Sequence, residues 1–240
     1  SIITIAYNSS KTIAKTLQSV ENQDVQNVEQ IVIDGKSADD TLEICEKFPH
    51  ISKIVSEEDS GVYDAFNKGL KFATGEIIGF LNSDDSFYDE KSLKNIINAF
   101  DNDTDCVYGN LEYINSHGEV VRKWQSKVFK AGAFKKAWMP AHPTFYCRKK
   151  IYDKLGGYKS TYKIAGDFEL MLRFLERYGI SSKFIDKNLV KMLKGGISNR
   201  NFDSKIRILK EEFQAFKENK IKFNKTYYII NKLFKVKEFL

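Results

Sequence analysis

The chain of 240 residues has few cysteines, few prolines and no long apolar run. Its three cysteines, Cys45, Cys106 and Cys147, include no C-x-x-C pair, which argues against a disulfide framework or a structural zinc site. The longest apolar runs, at 77–81 and 227–230, are far shorter than the roughly 20 residues that a membrane-spanning helix needs. Three prolines and 14 glycines also exclude collagen-like and low-complexity chains. We therefore expect a globular protein of the reducing cytoplasm.

Positive charge is concentrated at the C-terminal end. The net charge is +6, and residues 201–240 contain ten Lys or Arg against five Asp or Glu, which accounts for +5 of it. Apolar residues such as Ile206, Leu209 and Phe213 recur there at helical spacing, so we predict one or two basic amphipathic helices. Such a tail suits an anionic membrane surface; the alternative is a helix that packs on the rest of the chain or on a second copy in a homodimer. Nucleic acid is not an expected partner, because the remaining residues are almost neutral and carry no recognised binding motif.

The first 110 residues alternate between strand-like and helix-like patterns. The strand-like runs lie at 2–7, 30–33, 51–55 and 76–81, and the helical patterns between them include 41–48 and 62–72. In an open parallel sheet the carboxyl ends of the strands line one crevice, in which ligands bind. We therefore predict an α/β fold with a Rossmann-like, open and mostly parallel sheet that is flanked by helices.

The pattern changes after residue 110. Residues 111–130 indicate a hairpin with a turn near 116–119, residues 144–148 a strand, and residues 167–178 a helix. The predicted organisation has three parts: a ligand-binding α/β half at 1–110, a second half of the same domain at 111–200, and the helical tail at 201–240.

The sharpest local feature is Asn82-Ser83-Asp84-Asp85, directly after the fourth predicted strand. Two acids at a strand end can form a solvated turn. They can also hold Mg²⁺ or Mn²⁺, which proteins bind with one or two carboxylates while substrate phosphates complete the coordination shell. A strand that delivers paired acids to a crevice therefore suits the binding of a metal and a diphosphate.

Other polar residues follow the strand ends or share one helix face. Asp34 precedes a glycine, so it either forms a turn or accepts hydrogen bonds from a nucleoside. Asp64, Asn67 and Lys68 lie within about one helical turn of each other. The alternative for this second group is an exposed helix face.

Several separated motifs occur in an order that is characteristic of one enzyme family. In chain order they lie at 4–8, 33–37, 56–69, 73–76, 80–85, 141–144, 155–158, 164–170 and 195–198. Together they resemble the family-2 glycosyltransferases with the GT-A fold, over roughly residues 1–200. The basic tail lies outside the resemblance.

The resemblance implies an inverting transfer of a sugar from a nucleoside-diphosphate sugar, with UDP-sugars favoured, to a hydroxyl of a growing glycan. The glycan would belong to a bacterial surface polysaccharide or lipopolysaccharide, and a lipid-linked acceptor would place the enzyme at the inner face of the bacterial membrane. Asp34 resembles the family's base- or ribose-binding aspartate, Asp85 its ligand for Mn²⁺ or Mg²⁺, and Asp167 its catalytic base. The other donor-binding residues that the resemblance implies are Tyr7, Asn8, Asp64, Asn67, Lys68, Asn82, Ser83 and Asp84.

The acceptor side of the site is predicted from three residues. His142 and Trp138 lie in one loop, and Glu169 keeps a spacing from Asp167 that some family members show as paired acids. The alternatives are a packed histidine, a core tryptophan and, for Asp167, an acid that the helix dipole favours at a helix N-terminus. The motif at 195–198 either closes over the diphosphate or forms a turn.

A non-catalytic subunit that binds nucleotide sugars or assembles a polysaccharide synthesis complex is the main alternative function. Two other enzyme classes are disfavoured by the lack of glycine after the first strand, where the sequence is Asn8-Ser9-Ser10-Lys11. A nucleotide-sugar pyrophosphorylase would need a Gly-rich phosphate loop there, and a dehydrogenase would need G-x-G-x-x-G.

Overall fold

The structure is a computed structural model that describes residues 1–195 and 202–237. The strands of these residues are β1 Ile2–Ala6, β2 Gln30–Asp34, β3 Ile51–Ser56, β4 Ile77–Phe80, β5 Asp85–Phe87, β6 Cys106–Ile114, β7 Val120–Trp124, β8 Tyr146–Arg148 and β9 Ser182–Leu193. The α-helices are α1 Ile13–Glu21, α2 Thr41–Cys45, α3 Val62–Phe72, α4 Ser92–Ala99, α5 Lys149–Leu155, α6 Gly166–Met171, α7 Phe202–Glu218 and α8 Lys225–Lys237. A π-helical segment, Leu172–Arg177, continues α6.

The strands form one sheet in the order β3-β2-β1-β4-β8-β6-β9-β5, with β7 paired to β6. The first four strands of this order are parallel, and their register places Ala6 beside Asp34 and Ile3 beside Phe80. The carboxyl ends of β1, β2 and β4 therefore meet at one edge. β8 runs antiparallel to both β4 and β6, whereas β6 and β9 are parallel. The predicted α/β fold, a sheet flanked by helices, is confirmed.

Two segments of the second half differ from the expected pattern. The strand expected at 144–148 begins only at Tyr146, because Pro143 lies in a 3-10 turn, His142–Thr144, which displaces the start. The long strand β9 was not expected from the sequence. Its middle, Asp186-Lys187-Asn188, interrupts the apolar alternation by which strands are recognised.

The two C-terminal helices pack on the second half of the domain. Ala215, Phe216 and Tyr228 are buried in the same hydrophobic cluster as Phe168 of α6, and the rings of Phe168 and Phe216 lie 5.7 Å apart. The core of the domain therefore includes the predicted tail, which is not a detached appendage. Among residues 1–195 and 202–237, no helix is both long and apolar enough to cross a bilayer.

Candidate active site

The ends of β1 and β2 build one wall of the crevice around Asp34. The Asp34 carboxylate is fully buried and accepts a hydrogen bond from the Ser56 hydroxyl at 2.6 Å and from the Ser37 backbone N–H at 3.0 Å; the Ser37 hydroxyl is a third donor. Asn8, with a positive φ of 49°, accepts the Ala38 N–H at 2.9 Å through its Oδ1. Asp34 and Asn8 thus fix the loop that follows β2. Tyr7 is exposed at this wall, with a relative accessibility of 66%.

The loop after β4 carries polar atoms that have no partner among the residues that the structure describes. Asn82 Oδ1 and Asp85 Oδ1 are both buried without a hydrogen bond, and Asn82 Nδ2 lies 3.4 Å from Asp85 Oδ2. The hydroxyls of Ser9 and Ser83 lie 2.8 Å apart, which joins this loop to the end of β1. Thr16 holds the loop from beneath by donating to the Asp85 carbonyl at 2.6 Å. Two hard oxygen atoms, from residues whose side chains contact each other, are therefore buried and unsatisfied.

Burial sets the protonation behaviour of the two adjacent acids. It raises the pKa of Asp84, and it raises the pKa of Asp85 well above the usual range, with the charge of Asp84 adding to the effect. The N–H of Leu193 at the end of β9 partly offsets this. A cation would stabilise the ionised form that burial disfavours. The oxygens of Asp85 and Asn82 thus fit a divalent cation.

That site provides few ligands of its own. Within the described residues, no three His, Cys, Asp or Glu side chains lie close enough together to hold a metal ion. A cation at Asp85 would therefore take most of its ligands from substrate and water, which is the usual arrangement for Mg²⁺ beside phosphates.

Asp167 lies in the first turn of α6, between two side chains from distant parts of the chain. His142 Nδ1 is 3.2 Å from Asp167 Oδ2, and the Tyr63 hydroxyl is 3.4 Å from Asp167 Oδ1. The same hydroxyl donates to the carbonyl of Ile164 at 2.6 Å. Burial raises the pKa of Tyr63 and the charge of Asp167 raises it further, so Tyr63 remains a neutral donor. The Asp167 side chain is 19% exposed and therefore reachable by a ligand.

Tyr113 links the two acidic groups: in the sheet, Tyr113 of β6 and Asp85 of β5 are both paired with Met192 of β9. Burial raises the pKa of Tyr113 to about 12; the charges of Asp85 and Asp167 both add to this, and Arg122 opposes it. Trp124 stacks on Tyr113 with ring centroids 6.5 Å apart and meets the ring of His142 edge-on at 6.2 Å. The β6–β7 hairpin therefore lines the space between the Asp85 loop and Asp167.

The hairpin residues of this site were not found from the sequence. Arg122 lies over the ring of Tyr113 at 4.7 Å, and the register that pairs these two residues also pairs Leu111 with Trp124. No motif marks them. The only signal available was a basic and an aromatic residue two positions apart in a predicted hairpin.

The three predicted residues of α3 brace loops beside the crevice. Lys68 Nζ lies 3.1 Å from Glu57 Oε1 and 3.7 Å from Asp64 Oδ2, and Asp64 accepts the Ser60 N–H at 3.0 Å. The side-chain amide of Asn67 bonds the backbone of Tyr158 in both directions, at 2.7 and 2.9 Å. Asp64 and Lys68 thus hold the loop after β3, while Asn67 holds the segment around Tyr158.

Two predicted acceptor residues are not brought to the crevice. Trp138 packs in an aromatic cluster, with ring centroids 6.0 Å from Phe129 and 5.9 Å from Phe134. Glu169 has no exposed surface, and its carboxylate is occupied by Arg173, by Lys159 at 2.9 Å and by Asn219 at 3.1 Å. We therefore leave Trp138 and Glu169 out of the site. Of the motif at 195–198, residues 196–198 lie outside the described part of the chain.

Comparison with known proteins identifies the family. The sequence model of glycosyl transferase family 2 matches residues 1–165. The chain therefore belongs to glycosyl transferase family 2. It is a glycosyltransferase. Asp167 and the two C-terminal helices lie beyond the matched residues.

Two curated glycosyltransferases are similar in sequence to half or more of this chain. A PGL/p-HBAD biosynthesis glycosyltransferase of Mycobacterium bovis is 27% identical over 213 residues, which cover 85% of this chain and 80% of that protein. The UDP-Glc:alpha-D-GlcNAc-diphosphoundecaprenol beta-1,3-glucosyltransferase WfgD of Escherichia coli is 36% identical over 124 residues, 50% of this chain and 48% of that one.

Solved structures confirm the GT-A fold of the chain. The 1–349 fragment of S. aureus TarS in complex with UDP-GlcNAc superposes with a TM-score of 0.68 and 20% identity, over 90% of this chain and 65% of that one. The mannosyltransferase PcManGT of Pyrobaculum calidifontis, in complex with GDP-Man and Mn²⁺, gives a TM-score of 0.66 at 20% identity, over 90% and 62%. The chain thus spans about two thirds of these neighbours.

Proposed function

We propose that this glycosyltransferase moves a sugar from a UDP-sugar to a hydroxyl of a growing glycan of the bacterial cell surface, by a single displacement with inversion. Asp167 acts as the general base. The observation that carries the proposal is the position of Asp167: its partly exposed carboxylate contacts His142 and Tyr63, and His142 in turn meets the ring of Trp124, which stacks on Tyr113.

Asp167 suits the role of base through its contacts. An acceptor hydroxyl is a weak nucleophile, and a positioned carboxylate that takes its proton contributes typically about 10²- to 10⁴-fold in rate. His142 and Tyr63 approach different oxygens of Asp167, so the carboxylate is held in one orientation while part of its surface stays accessible. Direct attack of the activated hydroxyl on the anomeric carbon inverts that centre and needs no protein nucleophile.

The loop after β4 suits the leaving diphosphate. The unpartnered oxygens of Asp85 and Asn82 would hold Mn²⁺ or Mg²⁺, and a divalent cation bound there stabilises the charge that develops on the diphosphate. The loop after β2, fixed by Asp34 and Asn8, and the exposed ring of Tyr7 form the wall that would receive the nucleoside.

The relatives support a choice of donor class and acceptor class. WfgD uses UDP-Glc and an acceptor on diphosphoundecaprenol, and TarS was solved with UDP-GlcNAc, which favour a UDP-sugar and a lipid-linked glycan here. PcManGT was solved with GDP-Man, which makes guanosine donors the second choice. A lipid-linked acceptor would place the enzyme peripherally at the inner face of the bacterial membrane.

The proposal is tested by turnover of a donor panel. The chain is incubated with UDP- and GDP-sugars, Mn²⁺ and lipid-diphosphate-linked acceptors, and free nucleoside diphosphate is followed. We expect Asp167→Asn to lower kcat by roughly 10²- to 10⁴-fold, because the amide cannot take the proton. Calorimetric titration with UDP should give the same affinity for this variant as for the unchanged chain.

Asp153→Asn is the matched control, since Asp153 is an exposed acid that pairs with Lys149 on α5. It should leave kcat unchanged. UDP-sugar binding without turnover over the whole panel would instead favour a non-catalytic nucleotide-sugar-binding subunit.

A further inference from the structure

The most concentrated set of hydrogen bonds from the C-terminal helices ends at Glu211 of α7. Its buried carboxylate accepts the backbone N–H groups of three consecutive residues: Lys163 at 3.0 Å, Ile164 at 3.0 Å and Ala165 at 2.8 Å. Backbone donors that converge on one carboxylate make charge-assisted bonds, which are stronger than neutral ones. Glu211 therefore fixes the conformation of this three-residue segment.

The segment held by Glu211 leads directly into Asp167. Ala165 is the residue before the first turn of α6, and it has no side-chain oxygen with which to cap the helix. The carbonyl of Ile164 accepts the hydroxyl of Tyr63, the same group that approaches Asp167. Tyr63 from α3 and Glu211 from α7 thus both hydrogen-bond the short segment that precedes Asp167.

α7 is anchored along its length, so Glu211 has a fixed position. Phe216 packs on Phe168 of α6, and Asn219 donates to Glu169 at 3.1 Å. Glu218 accepts from Lys159 at 2.8 Å and from the hydroxyl of Tyr162 at 3.0 Å. These contacts tie the helix to the residues on either side of the Asp167 loop.

We propose that Glu211 is a positioning residue for the catalytic base, and that the C-terminal helices are consequently part of the active site of this chain. The inference rests on the proposed function of Asp167. It adds that a segment beyond the 1–165 match to the family determines where the base lies. Glu211 contacts no substrate; it acts through the backbone of 163–165.

The first test separates kcat from donor binding. In Glu211→Gln the charge is lost and an N–H group is turned toward backbone donors, so we expect kcat to fall at least about tenfold, as small displacements of catalytic groups do. The affinity for UDP, measured by calorimetry, should stay within twofold. Glu211→Asp should recover part of kcat. Asp203→Asn, which removes an exposed carboxylate from the first turn of the same helix, should keep kcat.

The second test does not depend on activity. Hydrogen exchange followed by mass spectrometry should show faster exchange of the 163–165 amides in Glu211→Gln than in Asp203→Asn, at a temperature where both variants are folded. Unchanged exchange, or a kcat within twofold of the unchanged chain, would overturn the inference. So would a loss of UDP affinity in proportion to kcat, which indicates a general structural defect.

Failure of the proposed function gives a different result. If the unchanged chain turns over no donor while exchange at 163–165 still rises in Glu211→Gln, the transferase proposal fails and the anchoring of the loop by Glu211 stands. Glu211→Ala is measured in parallel by exchange only, since it removes the acceptor of three backbone N–H groups and is expected to lower stability.

Discussion

His142 contacts Asp167 through one ring nitrogen, at 3.2 Å, and this contact predicts a graded response to substitution. A hydrogen bond to a charged group contributes roughly 1.5–3 kcal/mol, so His142→Ala should lower kcat about 10- to 100-fold. His142→Asn should retain more activity, because its amide can donate from the position of Nδ1. The measurement is steady-state kinetics at saturating donor.

His117→Ala is the control for this prediction. His117 lies exposed in the turn between β6 and β7, away from the acids, and its removal should leave kcat unchanged. Equal activities of His142→Ala and His142→Asn would contradict a donor role for His142.

The position of Asp85 leads to a prediction about how Mn²⁺ changes the melting temperature of the chain. We expect Mn²⁺ with UDP to raise the melting temperature of the unchanged chain, since a ligand at 100 times its Kd stabilises by about 2.7 kcal/mol. In Asp85→Asn this increase should be lost. The metal-free variant should melt no lower than the unchanged chain, because an amide replaces a buried carboxyl whose pKa is raised. Differential scanning fluorimetry with and without Mn²⁺ is the measurement.

Asp103→Asn is the control for the metal prediction, because Asp103 is an exposed acid in the turn before β6. It should show the full Mn²⁺-dependent increase. An undiminished increase in Asp85→Asn would mean that the cation binds elsewhere.

At the scale of elements, Arg173 joins the π-helical continuation of α6 to the end of α5. Its guanidinium donates to the carbonyls of Gly156 at 3.0 Å and Gly157 at 2.6 Å, and its Nε lies 3.1 Å from the buried Glu169. Arg173→Met leaves the charge of Glu169 with fewer partners, and breaking a buried pair in this way costs about 3–5 kcal/mol. Urea unfolding should show that loss.

Lys183→Met gives the matched comparison for the buried pair. Lys183 and Asp101 form an ion pair at 3.7 Å in which both side chains are more than half exposed, and such pairs contribute about 0–1 kcal/mol. Similar losses for the two variants would show that burial does not set the strength of the Arg173 contact.

At the same scale, Gly79 of β4 shows a constraint that only the pairing of elements reveals. A Cβ at this position would overlap the ring of Tyr146 on β8, so the ring occupies the space that any larger residue would need. The sequence places a glycine in an apolar strand, which by itself suggests a close approach of some kind. It does not say which of the 240 residues approaches.

At the scale of the whole molecule, the basic C-terminal helices present an apolar surface on one side of α8. The exposed members of this surface are Tyr227, Ile230, Leu233 and Phe234. Combined with the net charge of +5 over 201–240, such a surface suits an anionic bilayer. We therefore predict binding to phosphatidylglycerol vesicles, weakened by salt, and little binding to phosphatidylcholine vesicles. Co-sedimentation measures both.

The double variant Ile230→Ser with Leu233→Ser should lower the affinity for phosphatidylglycerol vesicles at least about tenfold, since each apolar side chain contributes up to roughly 1.5–3 kcal/mol on burial. Val128→Ser, which changes an equally exposed apolar residue on another part of the molecule, should bind as the unchanged chain does. Equal binding of all three proteins would exclude α8 as the contact surface.

The sequence by itself determined the first four strands, the helices between them and the edge where the strand ends meet; β5 and α4 were not predicted. This follows because β-branched runs and helical periodicity are local, and because parallel strands necessarily bring their carboxyl ends to one edge. The α3 helix was predicted with its observed bounds, Val62–Phe72, Asp34 was predicted at the end of the second strand, and Asp85 was predicted in the segment after the fourth strand. The family was identifiable from the same motifs.

Only the tertiary structure decided which polar groups share one space. Asp167 and Glu169 lie two residues apart in the sequence, yet one faces the crevice and the other is buried against Arg173. The hairpin residues Tyr113 and Trp124, and Glu211 from the C-terminal helices, join the site through contacts between distant segments. Burial and partner atoms depend on long-range packing, which no local pattern in the sequence encodes.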